Sequence, residues 1–97
     1  MKTDLLEYLS RGQENAKTAA DLQALLGYRT VRDVTKEVHR LRKAGEVICS
    51  STREPFGYFL PDNNKDIERF RRQMLSRIKQ IAIALKSAEK FLRGLEK

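Results

Sequence analysis

The 97-residue chain has one cysteine, one histidine, two prolines and no tryptophan. A lone Cys49 forms no intrachain disulfide and no cysteine-based zinc site, and it points to a reducing, cytoplasmic setting. A lone His39 completes neither a metal site nor a catalytic dyad unaided. The longest apolar run, residues 81–85, is far short of the roughly 20 residues that span a bilayer. The first residues lead straight into an amphipathic segment, so no signal-peptide apolar region is expected. There is no phosphate-cradling glycine cluster, no nucleophile elbow and no His/Cys/carboxylate set at ligand spacing. These absences disfavour an enzyme, a membrane protein and a secreted scaffold, and no cofactor or metal is expected.

What is present is charge, mostly positive. Charged residues make up 34% of the chain, and 20 Lys and Arg against 13 Asp and Glu leave a net charge of +7. That balance points to a polyanionic partner such as nucleic acid. Hydrophobic residues at 40% are too many for a disordered chain, and the length allows one small domain plus one extended element.

Glycines punctuate the first half. Gly12, Gly27 and Gly45 each follow a helix-like stretch, as suits a residue that adopts the left-handed C′ conformation at little cost. The first stretch opens at Thr3 and carries Leu5, Leu6 and Leu9. The second opens at Thr18, with Asp21 three residues on as a partial capping box, and carries Ala19, Leu22, Leu25 and Leu26. The third opens at Thr30, with Asp33 in the same place, and carries Val31, Val34, Val38 and Leu41. After Gly45 the segment 46–51 is short and β-branched, a strand candidate. Residues 52–57 have turn chemistry, and residues 58–60 read as a return strand ended by Pro61.

From Asn63 or Asn64 onward there is no proline. Apolar positions recur at Ile67, Phe70, Met74, Ile78, Ile81, Leu85, Ala88, Leu92 and Leu95. This is a heptad seam with one stutter near Met74 and Ile78. A helix of that length reaches about 50 Å and outruns a small domain. Its seam therefore calls for a second chain, and a homodimer is expected.

The third helix carries the strongest functional signal. At 100° per residue Val31, Val34, Val38 and Leu41 fall within about 80° of one another. Arg29, Arg32, Lys36, Arg40 and Lys43 fall in a similar sector on the opposite side, with Thr35 and His39 flanking them. One face is available for a core while the other approaches DNA. Arginine can pair with guanine edges in the major groove and threonine can touch a thymine methyl. Lys36, Arg40 and Lys43 suit phosphates. A solvated basic face is the alternative.

Residues 5–61 resemble the winged helix-turn-helix of the biotin repressor's N-terminal domain and related type-11 modules. The resemblance rests on 5–9 (LLEYL), on 18–27 (TAADLQALLG) as the motif's first helix, and on 31–45 (VRDVTKEVHRLRKAG) as its recognition helix. Residues 47–51 (VICSS) and 57–61 (GYFLP) look like the wing. Small prophage-encoded proteins show a similar winged helix followed by a basic C-terminal helix. At the turn this chain has Gly27, Tyr28, Arg29 and Thr30 where the family often has Gly-Val-Ser. No ligase domain follows, so that catalytic function does not carry over. The order of the elements and the resemblance together imply a mainly α fold with a small β-hairpin wing (residues 1–61), and the seam makes the long amphipathic C-terminal helix (62–97) a dimerisation element.

The remaining features have competing readings. Arg53 at the hairpin tip reaches the minor groove, as wing tips often do, or is simply exposed. Tyr58 reads as core rather than as a stacking platform, and Cys49 as inert packing. His39 fits a phosphate contact or plain exposure. Residues 62–97 hold ten Lys and Arg against five Asp and Glu, so +5 of the +7 lies there and only +2 on 1–61. Those C-terminal cations contact a DNA backbone or form the solvated outside of a coiled coil; a membrane-surface helix fits less well. The expected function is therefore double-stranded DNA binding by a dimeric transcriptional regulator or phage or mobile-element factor. The site is Arg29, Arg32, Thr35, Lys36, His39, Arg40 and Lys43, with Arg53 on the wing. The alternative is an adaptor that docks a protein partner through the same two elements.

Overall fold

The helices α1 (Ala19–Leu26) and α2 (Val31–Lys43) start on the same local device. Asp21 N donates to Thr18 Oγ1 at 3.0 Å while Thr18 N donates to Asp21 Oδ2 at 3.2 Å. Thr30 and Asp33 repeat this reciprocal cap at 3.1 and 3.2 Å. Each box satisfies backbone donors that a helix start otherwise leaves open. The computed structural model describes residues 5–95. Two 3-10 turns, Leu5–Tyr8 and Gln13–Asn15, precede α1; β1 (Cys49–Ser51), β2 (Gly57–Phe59) and α3 (Asn64–Leu95) follow α2. The fold is mainly helical, with one antiparallel hairpin and a long C-terminal helix. The chain divides into two compact units, Met1–Ile67 and Glu68–Lys97.

In the first unit α1 ends at Gly27, whose φ of +72° is left-handed and whose N–H reaches Gln23 O at 2.9 Å. The Gln23 side chain then donates to Arg29 O at 3.0 Å, so one glutamine ties both ends of the turn into α2. Buried Leu5, Leu9, Leu22, Val34, Val38, Leu41 and Ile48 form the core, with Tyr28, Tyr58 and Leu60 among the side chains packed against it. Val31, expected in the apolar stripe, is 43% exposed, because it lies at the stripe's edge in the first turn.

The expected first helix is corrected to a single 3-10 turn, and Thr3 lies outside the described residues. The physical reason is a competing ladder. Leu60 N donates to Ser10 O at 2.8 Å and Gly12 N donates to Leu60 O at 2.9 Å. Lys17 and Tyr58 exchange both backbone bonds, at 2.7 and 2.9 Å. Ser10 O and Gly12 N, at the end of the leucine stretch, are thus committed to Leu60, and Lys17 to Tyr58, so a helix cannot run on to Gly12. The predicted strand 46–51 also shortens to Cys49–Ser51, because Glu46 N still bonds Leu41 O at 3.0 Å as part of the α2 terminus. The return strand is Gly57–Phe59 rather than 58–60, with Cys49 opposite Phe59 and Ser50 opposite Tyr58. The Glu54–Pro55 peptide in the intervening turn is cis.

Asn63 caps α3, its Oδ1 accepting from Asp66 N at 3.0 Å, and the buried Asp66 carboxylate accepts from Asp62 N at 2.9 Å. Cys49 is buried beneath this turn, its thiol 3.9 Å from Asp66 O. Burial, reinforced by the nearby Asp66 charge, pushes the thiol up to about 11, so it stays protonated and unreactive at neutral pH. The second unit is the remainder of α3. There Ile78, Ile81, Leu85, Leu92 and Leu95 are each more than half exposed, and so are Ile83 and Phe91 outside the seam.

Candidate nucleic-acid interface

The predicted residues of α2 come together on one face. Val34, Val38 and Leu41 are buried, and Arg32, Lys36, His39, Arg40 and Lys43 are exposed, with Arg29 exposed in the preceding turn. Arg29, Arg32, Lys36 and Lys43 make no ion pair among the described residues. Arg32, Lys36 and Lys43 therefore project from α2, and Arg29 from the turn before it, with their charge uncompensated. Arg53 sits apart, exposed in the turn between β1 and β2, and its guanidinium has no hydrogen bond or ion pair among the described residues.

Two of the predicted side chains are less available than their spacing implies. Arg40 forks onto Glu37, with Nε to Oε1 at 2.5 Å and Nη2 to Oε2 at 2.9 Å. That geometry is bidentate and charge-assisted, so a phosphate at Arg40 must compete with a carboxylate already in place. Thr35 is half-buried and its hydroxyl donates to Val31 O at 3.3 Å, back along the helix. Its methyl remains the group for apolar contact.

Arg42 and Gln13 escape a sequence reading of the site. Arg42 Nε and Nη2 donate to Ile48 O at 3.0 and 2.6 Å, Nη2 also reaches Ser50 Oγ at 2.8 Å, and the guanidinium lies 5.9 Å from the Tyr58 ring centroid. This arginine fastens α2 to the hairpin and belongs to the scaffold. Its place beside the apolar stripe, away from the other cations, is the one sequence signal that separates it from them. Gln13 meets the hairpin turn some 40 residues away in sequence, and no local pattern marks it.

Among the described residues no group of three or more His, Cys, Asp or Glu side chains is placed to hold a metal, and no helix is long and apolar enough to cross a membrane. Compared with known proteins, the chain matches no family model, no curated protein and no solved structure. The functional reading rests on the geometry of its own side chains.

Proposed function

We propose that this chain is a winged-helix protein that binds double-stranded DNA as a homodimer, acting as a transcriptional regulator or a phage or mobile-element factor in the cytoplasm. The observation that carries the reading is the α2 face, where Arg32, Lys36 and Lys43, with Arg29 in the turn before, are uncompensated cations opposite the buried Val34, Val38 and Leu41. In this reading α2 lies in the major groove, Arg29 and Arg32 at its N-terminal end meet base edges, and Lys36 and Lys43 meet phosphates. His39 and Arg40 flank the backbone contacts, and Arg53 on the wing reaches the adjacent groove. Ile67, Phe70, Met74, Ile78, Ile81, Leu85, Ala88, Leu92 and Leu95 form the dimer seam of α3, which would hold two α2 helices for a two-fold-symmetric site.

Fluorescence anisotropy with a labelled random-sequence duplex tests the reading. With about five phosphate contacts, affinity falls roughly 500-fold between 50 and 200 mM salt, following a slope near −0.9 per contact. No binding at 50 mM salt overturns DNA as the partner. Light scattering at micromolar concentration is expected to give twice the 11.2 kDa of one chain. A monomer mass removes the seam from the proposal.

One observation favours the adaptor reading, in which a protein docks on the same surfaces. Residues 1–61 carry a net charge of only +2, low for a domain that binds DNA alone. Recovery of one stoichiometric protein partner, free of nucleic acid, would select it.

A further inference from the structure

Four oxygens of the β1–β2 turn converge on one nitrogen. Gln13 Nε2 lies 2.9 Å from Ser51 Oγ and 3.2 Å from each of the carbonyl oxygens of Arg53, Glu54 and Pro55. The Ser51 hydroxyl donates to the Arg53 carbonyl and accepts from Arg53 N at 3.3 Å, closing the same knot from inside the hairpin. A primary amide has two hydrogens, so they are shared among four acceptors. Three successive carbonyls turned to one point is an unfavourable arrangement unless a donor sits there. Gln13 is that donor. It belongs to the 3-10 turn Gln13–Asn15, which the Ser10–Lys17 ladder anchors against β2. The hold on the turn is therefore rigid at both ends.

We infer that Gln13 is a positioning residue for Arg53. It fixes the backbone on both sides of that arginine, so the Arg53 Cα–Cβ bond leaves the turn in a set direction and the guanidinium has a smaller volume to search for a duplex. The inference rests on the duplex-binding reading above. In the free hairpin, an exposed turn flanked by Thr52 and Glu54 would sample many conformations, and binding would have to order it. With Gln13 in place that ordering is done in advance. The glutamine itself is half-buried behind the turn.

The test uses the full chain and four variants: Gln13→Ala, Gln13→Glu, Arg53→Ala and the double Gln13→Ala/Arg53→Ala. Arg53→Ala is expected to weaken binding of the random-sequence duplex about tenfold, the loss of one charge-assisted contact. Gln13→Ala takes a several-fold part of that loss. The double variant binds no worse than Arg53→Ala alone, because Gln13 acts only through Arg53. Gln13→Glu keeps the side chain's length but turns a carboxylate toward four oxygens, and it loses at least as much affinity as Gln13→Ala. Backbone 15N relaxation gives a readout without DNA: order at residues 52–54 drops in both Gln13 variants and stays unchanged in α1 and α2. Additive losses in the double variant, or unaltered order at 52–54, overturn the inference. A wild-type chain that binds no duplex overturns the DNA reading and the Arg53 role with it, whereas relaxation in the same samples separately decides whether Gln13 holds the turn.

Discussion

Gly57→Ala is expected to leave the first unit without a cooperative fold. Gly57 has φ +130°, a conformation that L side chains rarely adopt, and an added Cβ would lie 2.1 Å from Lys17 O, 2.2 Å from Lys17 C and 2.6 Å from Thr18 N. None of these atoms can step aside cheaply. Lys17 is locked to Tyr58 by two backbone hydrogen bonds, and Thr18 is the N-cap of α1. Relieving the clash therefore breaks the ladder to β2 or the capping box. Strained backbone alone costs about 1–3 kcal/mol. With the clash the total is expected to exceed about 4 kcal/mol, a large share of the roughly 5–15 kcal/mol that holds a domain together.

Gly27→Ala is the control. Its φ of +72° is also left-handed, but nothing lies within 4 Å of the added Cβ, so the cost is about 1–2 kcal/mol. Urea denaturation followed by tyrosine fluorescence compares the two, because Tyr8, Tyr28 and Tyr58 all lie in the first unit. Protein concentration is held fixed across the series. Equal stability of the two variants would show that the Gly57 contact is not needed.

What was legible in the sequence was local. Thr18 with Asp21 and Thr30 with Asp33 announce two helix starts because both partners of each hydrogen bond lie within four residues. The spacing of Val34, Val38 and Leu41 announces which face of α2 is buried, and the Asn63–Asn64 pair marks the start of α3, where the hydrogen bond from Asp66 N selects Asn63 as the cap. The misread segment, 3–12, has a helical pattern of leucines, and Leu5 and Leu9 are indeed core. Ser10 O and Gly12 N at its end bond Leu60 instead, some 50 positions away, and no pattern within the segment records that. The same distance hides the site's supporting residues. Arg42 looks like one more cation on a basic helix until Ile48 O and Ser50 Oγ are placed beside it, and Gln13 looks like a loop residue until the turn at 53–55 folds over it. Arg40 shows the reverse: its position in the stripe is read correctly, but its pairing with Glu37 depends on side-chain rotamers that spacing does not specify.

Charge reversal at Arg32 and Lys36 is expected to weaken duplex binding by about 10²-fold at 50 mM salt and to lower the salt slope by about 1.8, the Lys36 phosphate contact at 0.9 in each of the dimer's two chains. The two residues are one turn apart on the exposed face of α2, and neither is tied to another side chain among the described residues. Their removal should therefore leave the fold within about 0.5 kcal/mol of its original stability, as for other surface substitutions. A loss of affinity then reports on the interface and not on unfolding. Total charge is the competing explanation, because each reversal lowers the net charge by two and the pair takes the chain from +7 to +3. Lys79→Glu with Lys90→Glu makes the same change in net charge on the exposed polar side of α3, outside the first unit. If α2 is the surface in the groove, the α3 pair binds within a few-fold of the original chain while the α2 pair does not. If both pairs lose affinity equally, the attraction is a property of the whole charge distribution and α2 has no privileged role. If only the α3 pair loses affinity, the duplex lies along the C-terminal helix, and the buried stripe of α2 serves the core alone.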